Sequence, residues 1–359
     1  MKNNGGKKLK IGDMSVGPSY PAFVIAEAGV NHNGDARLAK ELVQAAKRCG
    51  ADCVKFQTFK AVRVVTRYAP KAEYQLKATN SKESQIEMLR RLELDESVYQ
   101  DLMAICKRED ILFLSTPYNI EDVDFLDSLG VQAFKIASGQ AVEPYFLEYV
   151  AQKGKPILLS TGMCTLAEVD RAVRTIRGTG NHRIIILQCT TNYPSAMQDC
   201  NLRAMVTMRD AFDVLVGYSD HTEGLTAAIA SVALGACVVE KHFTLDKSLP
   251  GPDHSSSSDP DEFAALVRQI REVELALGSS VKYPSDIEQK NAVGMRRSIV
   301  AKERIPYGQV ISEAIVTFKR PATGLKPDLL PELVGRVATC DIEPDQMLSW
   351  EMVGAKQGD

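Results

Sequence analysis

The chain lacks any apolar run near the roughly 18 residues needed to span a bilayer. Its opening, MKNNGGKKLK, is basic but has no apolar stretch of the kind a secretory signal carries. It also lacks a dominant charge: 43 Lys and Arg against 46 Asp and Glu leave a net −3, which offers nucleic acid no electrostatic footprint. The 8 cysteines include no CxxC pair. That argues against a disulfide framework or a thiolate zinc site, and for reduced thiols in the cytoplasm. No GxGxxG or phosphate loop occurs, so the usual signature of a doubly wound nucleotide-binding sheet is missing. What is present sits on the globular average, with 45% hydrophobic and 25% charged residues, which excludes wholesale disorder and collagen. A cytoplasmic protein with no membrane segment is expected. Its 359 residues suffice for two domains, or for one α/β barrel of about 250 residues with an addition.

Strand-length apolar runs recur through the first two thirds of the chain: AFVIAEAG (22–29), DCVKFQTF (52–59), ILFLSTP (111–117), AFKIASG (133–139), PILLSTG (156–162), RIIILQCT (183–190), VLVGYSDH (214–221) and CVVEKHFT (237–244). Each is nearly continuous, as strands covered on both faces are. Helix-like segments lie between them. DARLAKELVQAAKRCG (35–50) is apolar at Leu38, Leu42, Val43 and Ala46, with Gly50 just past its end. FAALVRQIREVELALG (263–278) follows the last run, with Asp259 as N-cap, Pro260 in the first turn and Gly278 at the close. This alternation predicts an α/β fold, a parallel (β/α)8 TIM barrel, over 1–281.

The gap between the second and third runs is long, holding ATNSKESQ (78–85) and then QIEMLRRLEL. An insertion after a barrel strand lies on the active face, so it is either a substrate lid or a surface decoration. Residues 282–293 read as a linker. The tail, 294–359, contains an internal echo: Val300, Ala301, Ile305, Gln309, Ser312 and Val316 recur as Val337, Ala338, Ile342, Gln346, Ser349 and Val353, at a constant offset of 37. Two copies of one β-rich unit, turning at Pro306-Tyr307-Gly308 and Pro344-Asp345, predict a small pseudo-symmetric domain that docks against something larger.

The chemistry gathers at the strand ends, which in a barrel face the active site. Polar residues stand there on every run: Glu27; Lys55 and Gln57; Ser115 and Thr116; Lys135 and Ser138; Ser160 and Thr161; Gln188 and Thr190; Ser219, Asp220 and His221; Glu240 and His242. Burying them costs several kcal/mol each unless they are paired or meet a ligand. Lys55 and Lys135, with Thr116, Ser160 and Ser219 near them, suit a substrate bearing phosphate and carboxylate. A Schiff-base lysine ranks second, and simple pairing of the lysines with Glu27 and Glu240 is the plain structural alternative. His221 and His242 end adjacent strands and suit a catalytic divalent ion, although either alone would more often be a hydrogen-bonded core residue. Glu240 shares the parity of His242. His32 and His254 fall in loops on the same face, and His182 starts a strand.

With these residues assembled, the chain resembles the sialic acid synthases from about residue 20 to 353. The likeness rests on IAEAGVNHNGD (25–35), ADCVKFQ (51–57), KIASG (135–139), LLSTGM (158–163), QCTTNYP (188–194), GYSDHT (217–222), EKHFTLDK (240–247), GPDH (251–254) and FKRP (318–321). The tail resembles the antifreeze-like (SAF) domain of these enzymes. The resemblance implies condensation of phosphoenolpyruvate with N-acetylmannosamine or a close relative, giving a nine-carbon 2-keto-3-deoxy acid and phosphate. C3 of phosphoenolpyruvate would attack the sugar aldehyde while water adds at C2, and the tetrahedral intermediate would lose phosphate.

It also implies roles for individual residues. Lys55, Thr116, Lys135, Ser138, Ser160 and Ser219 would hold phosphoenolpyruvate, with Glu27, Lys55 and Glu240 catalytic. Glu27, Gln57, Asn80, Tyr193 and Asp253 would address the open-chain sugar. His221 and His242 would bind Mn²⁺, or else Mg²⁺ or Co²⁺, which would polarise the aldehyde. Arg320 would reach the sugar's N-acyl group from the other chain of a domain-swapped homodimer. One departure stands out: relatives commonly carry a carboxylate where this chain has Gln140, so Glu27 or bound phosphate would have to move the proton. The alternative substrate is a 2,4-diacetamido-2,4,6-trideoxy hexose, as in legionaminate, pseudaminate or spore-coat sugar synthases. A metal-dependent aldolase using free pyruvate, and a non-catalytic sugar- or ice-binding protein, are more distant readings.

Overall fold

All eight apolar runs become strands of one parallel sheet: β1 (Phe23–Gly29), β2 (Cys53–Thr58), β3 (Leu112–Pro117), β4 (Phe134–Ile136), β5 (Ile157–Ser160), β6 (Ile184–Cys189), β7 (Leu215–Asp220) and β8 (Val238–His242). The computed structural model describes residues 7–79 and 83–357. Each strand bonds to its sequence neighbour and β8 returns to β1, while β3 packs beside β4 to bring the ring nearly closed. The (β/α)8 barrel read from the alternation is therefore the fold.

The barrel helices are α1 (Ala36–Arg48), α2 (Glu96–Arg108), α3 (Ile120–Leu129), α4 (Pro144–Gln152), α5 (Leu166–Gly178), α6 (Arg203–Phe212), α7 (Thr226–Ala233) and α8 (Pro260–Leu277). Local chemistry sets their ends. Asp35 accepts the N–H groups of Arg37 and Leu38 to start α1, and Lys47 and Arg48 oppose the dipole at its close. Asp259 and Glu262 form a reciprocal cap on α8, with Pro260 in the first turn and Gly278 just past the end. The helices cover the outward strand residues in the main core, where Leu42 and Val43 of α1 meet Val24 and Val54.

The barrel interior is a separate core. Phe23, Ile25, Leu114, Leu158, Ile185 and Val238 fill its lower layers. A hairpin that the alternation did not reveal, Leu9–Ile11 with Met14–Val16, adds Leu9, Ile11 and Val16 to that cluster and stoppers the barrel floor. Truncating a fully buried residue such as Ile185 to Ala would cost roughly 2–5 kcal/mol.

The long insertion folds as three short helices, Ala61–Val64, Glu73–Ala78 and Gln85–Arg90. Ser84 and Glu87 cap the last of them reciprocally. Met88 and Leu92 pack with Val30 and Phe59 in a small satellite core on the strand-end side of the barrel. Among the described residues, no helix is long and apolar enough to cross a membrane.

The chain divides into two compact units after Gly278. The stretch expected as a linker, 282–293, is not extended throughout. Residues Asp286–Met295 form α9, because Ser285 and Glu288 supply a capping box that the polar composition concealed. The rest of the second unit pairs β9 (Ser298–Ala301) with β10 (Val316–Lys319), and β11 (Arg336–Ala338) with β12 (Val353–Lys356). The 37-residue echo is a true pseudo-twofold. Ile305 and Ile342 exchange both backbone bonds at 2.9 Å. The bond from Ala301 N–H to Gln346 is repeated, 37 residues on, by the bond from Ala338 N–H to Gln309. The unit has its own core, built on Ile299, Ile305, Ile311, Ile342 and Leu348.

Candidate active site

Strand register assembles the inward polar residues into one ring. Glu27 lies opposite Lys55, and Ser219 opposite Glu240. The side chains form a buried chain of ion pairs: Glu27 to Lys55 at 2.5 Å, Lys55 to Glu240 at 3.8 Å, and Glu240 to Lys135 at 3.3 Å. Lys55 also donates to Thr116 Oγ1 at 3.1 Å, and Ser219 Oγ donates to Glu240 Oε1 at 2.9 Å. The cup is therefore of mixed charge, and the alternative of lysines paired with Glu27 and Glu240 is what the geometry contains. The pairing is incomplete. Ser160 Oγ and Glu240 Oε2 are buried without a hydrogen-bond partner.

The two carboxylates titrate in opposite directions. Burial raises Glu27, and Lys55 only partly offsets it, so Glu27 is pushed up to about 7. Burial would also raise Glu240, but Lys135 and Lys55 together hold it down to about 2. Burial disfavours the charge on Lys55, yet Glu240 and Glu27 outweigh it and raise its pKa. Lys135 has Glu240 as its main offset, and burial wins, lowering it. Glu27 is thus about half protonated at pH 7, and its protonated form leaves two lysines against one carboxylate.

Alternation turns four of the strand-end polar residues away from this ring. Ser115 bonds Thr58 at 2.7 Å, Thr161 donates to the Leu187 carbonyl, Gln188 donates to the Cys200 carbonyl, and Asp220 pairs with Lys241 at 2.8 Å. These residues face the helices. Ser138 sits in a turn after β4, where its Oγ accepts from Gly162 N–H at 2.9 Å.

His221 and His242 do meet, with ring centroids 5.3 Å apart and Tyr193 packed 4.2 Å from His221. His221 Nδ1–H donates to the Thr190 carbonyl at 2.7 Å, which leaves Nε2 as a free lone pair. His242 Nδ1 is buried and unpartnered. Burial, helped by His221 and Lys55, lowers His242 well below the usual imidazole range, so it is neutral. Burial opposes charge on His221, yet Cys189 and the Thr190 carbonyl outweigh it and raise its pKa; in their neutral forms the two imidazoles fit a divalent ion whose other positions stay open. Among the described residues, no cluster of three or more His, Cys, Asp or Glu is arranged to hold a metal. The fit is thus to two protein ligands.

Beside the histidines lies a cavity of 220 Å³, below the roughly 300–1,000 Å³ of drug-sized pockets. Its polar floor includes Gln57, Tyr193, His242 and Asp253. Gln57 is held from both ends: its Nε2 donates to Glu27 at 3.2 Å, and Tyr118 O–H donates to its Oε1 at 3.1 Å. Asp253 stands 3.9 Å from His242 Nδ1, with burial raising its pKa to about 6 against the pull of His221. The rest of the lining comes largely from the insertion, which contributes the apolar Val64, Met88, Leu89 and Leu92 and the amides Gln75 and Gln85. The insertion lines the site rather than decorating a remote surface.

Asn80 and Arg320, expected at the site, and Gln140, the departure from the family pattern, complete the residues singled out in the sequence. Asn80 lies outside the described residues. Arg320 is exposed at the end of β10 in the second unit. Gln140 presents a buried Oε1 with no partner. Two neighbours escaped the sequence reading. Cys189 points inward, 3.8 Å from His221 Nδ1 and 3.7 Å from Ser138 Oγ, and strand parity alone would have placed it there. Burial would raise its thiol, but His221 and Lys135 reverse that and lower its pKa. Tyr118 follows β3, one residue beyond the last strand position, and carried no such signal.

Comparison with known proteins gives the family. The NeuB family matches residues 42–282, and the SAF domain matches residues 296–354. The chain belongs to the NeuB family. Within that family, the chain is 46% identical to the N,N'-diacetyllegionaminic acid synthase of Campylobacter jejuni, over 91% of this chain and 98% of that one. It is 45% identical to the same-named enzyme of Legionella pneumophila, over 94% of this chain and 96% of the other. The solved N-acetylneuraminic acid (sialic acid) synthetase of Leptospira borgpetersenii aligns with a TM-score of 0.72 at 30% identity, covering 79% of this chain and 95% of that one. The resemblance to sialic acid synthases holds, and this NeuB-family chain is an enzyme of that type.

Proposed function

We propose that the protein condenses phosphoenolpyruvate with a 2,4-diacetamido-2,4,6-trideoxy hexose and water, giving a legionaminate-type nine-carbon acid and phosphate. The observation that carries the reaction is the buried ring of Lys55 and Lys135 around Glu240, with Ser160 Oγ buried on the neighbouring strand and left without a hydrogen bond. Lys55, Lys135, Thr116, Ser138, Ser160 and Ser219 hold the phosphate and carboxylate of phosphoenolpyruvate. Gln57, Tyr193 and Asp253, together with Asn80, orient the open-chain sugar beside them. C3 of phosphoenolpyruvate bonds to the aldehyde carbon, water adds at C2, and the C2–O bond to phosphate breaks as the ketone forms. The aldehyde oxygen gains a proton. Glu27, which titrates at about 7, supplies it from its protonated form where Gln140 has no proton to move. His221 and His242 would hold a divalent ion, most suitably Mn²⁺, which when bound polarises the aldehyde.

Two supports favour this sugar over N-acetylmannosamine. The relatives at 46% and 45% identity are both N,N'-diacetyllegionaminic acid synthases, against 30% for the sialic acid synthetase. The cavity wall gives the physical reason. A sugar hydroxyl laid on Met88, Leu89 and Leu92 would forfeit its hydrogen bonds at about 1–3 kcal/mol, whereas a methyl group gains by burial. We also assign Arg320 to the sugar's N-acyl group in the partner copy of a homodimer, and place the enzyme in the cytoplasm.

Phosphate release from phosphoenolpyruvate and Mn²⁺ with each sugar in turn tests the reading. The diacetamido trideoxy sugar should give the highest kcat/KM. Faster release with N-acetylmannosamine would restore the neuraminate reading, and no release with any sugar would favour a binding protein.

A further inference from the structure

A compact group of buried polar bonds stands on the helix side of β7 and β8, next in sequence to the two histidines. Register puts inward and outward pairs in turn along these strands: Ser219 opposite Glu240, then Asp220 opposite Lys241. The next residues in the chain are His221 and His242. Asp220 is 1% exposed and Lys241 3%. Lys241 Nζ donates to Asp220 Oδ2 at 2.8 Å and to the Thr222 carbonyl at 2.8 Å. Asp220 Oδ1 accepts from Thr222 N–H and from the Thr222 hydroxyl, each at 2.9 Å.

Together these bonds form a closed circuit around one backbone segment. A single ammonium holds the residue before His221 and the residue after it, and that ammonium belongs to the residue before His242. The segment carrying the first imidazole therefore cannot slide along β8 without breaking bonds that water does not reach to replace. His221 is pinned from its other side as well. Ser195 N–H donates to its carbonyl at 2.7 Å, and its ring bonds the Thr190 carbonyl. Ser258 N–H donates to the His242 carbonyl at 2.8 Å.

Packing alone gives no reason for this device. Apolar residues of similar volume often match or exceed a buried ion pair in stability, and the outward pair one step lower is Tyr218 with Val239. What the ion pair supplies is a fixed distance between two strand ends. Two imidazoles that share one ion need that distance.

We propose that Asp220, Lys241 and Thr222 are positioning residues whose buried bonds set the spacing and aim of the His221 and His242 imidazoles, and with it the affinity for a divalent ion. The assignment rests on the reading of those imidazoles as an ion site. Asp220 and Lys241 act from the helix side, so they hold the ligands rather than join them.

Asp220→Leu combined with Lys241→Met removes the bridge and leaves no unpaired charge. The double variant should fold, with Tm within about 4 °C of wild type. Its Mn²⁺ affinity, read without substrates from the electron paramagnetic resonance signal of free Mn²⁺, should be about 10- to 100-fold weaker. A pair that serves stability alone predicts the opposite, a shifted Tm with an unchanged Kd, and that result would overturn the proposal. If the double variant folds poorly, Thr222→Val decides instead, because it deletes one hydroxyl and keeps the backbone bonds. It should weaken Mn²⁺ binding about 3-fold, and an equal Kd refutes the role. Absence of Mn²⁺ binding by the wild-type protein would strike the ion site itself. Tight wild-type binding that the folded variants keep would strike the positioning role alone.

Discussion

The two sides of the candidate site are built differently. The phosphoenolpyruvate side is carried on strands: Lys55, Thr116, Lys135, Ser160, Ser219 and Glu240 are buried in the barrel mouth, and their positions follow from register. The side proposed for the sugar is carried mostly on loops and on the inserted helices: Gln57 and His242 belong to strands, whereas Tyr193, Asp253, Met88 and Leu89 do not. The contrast teaches where each half of the reaction is encoded. Chemistry common to a family sits on the rigid frame, and substrate choice sits on parts that can be exchanged without disturbing the barrel.

The largest effect should come from breaking the rigid side. Lys55→Met strands Glu27 and Glu240 in the interior, so chemical denaturation should show about 3–5 kcal/mol lost and phosphate release should fall to background. A fully active, fully stable variant would remove the ion chain from the mechanism.

Next is the metal. Chelation should abolish phosphate release, Mn²⁺ should restore it, and His221→Ala should not be rescued at the same Mn²⁺ concentration. Undiminished turnover in chelator would leave the two imidazoles a structural role only.

A smaller and more selective change is expected on the loop side. Met88→Gln should lower kcat/KM for the diacetamido trideoxy sugar relative to N-acetylmannosamine by about 10-fold, read from a two-substrate competition. An equal loss on both sugars would place discrimination elsewhere.

The smallest effect concerns pH and Glu27. Its folded pKa is raised, so between about 4.5 and about 7 the folded state binds more protons than the unfolded one, and stability falls as pH rises through that window. Glu27→Gln should flatten that fall in a denaturation series. An unchanged slope would show that Glu27 ionises freely in the fold.

Much of the rigid side was legible in the chain. Continuous apolar runs marked the strands, the spacing between them marked a barrel, and the polar residues at their ends marked the mouth. Parity was read only for Glu240 and His242 and not carried through the other strands. It separates Lys55 and Ser219 from Ser115 and Asp220, and it would have found Cys189. The pairing of Lys55 and Lys135 with Glu27 and Glu240 was posed as an alternative, and only distances could choose it. α9 stayed hidden because its residues are polar and exposed and its signal is a single capping box.

By itself, the sequence determined the barrel, the small pseudo-symmetric unit and the family, because periodicity and motif order are properties of the chain alone. The tertiary structure decided which strand-end groups pair, the lining the insertion turns toward Gln57 and Tyr193, and the opposite shifts of Glu27 and Glu240. Each of these depends on distances between groups far apart in the chain. Hydrogen bonding, burial and Coulomb energy are set by those distances, and no local pattern encodes them.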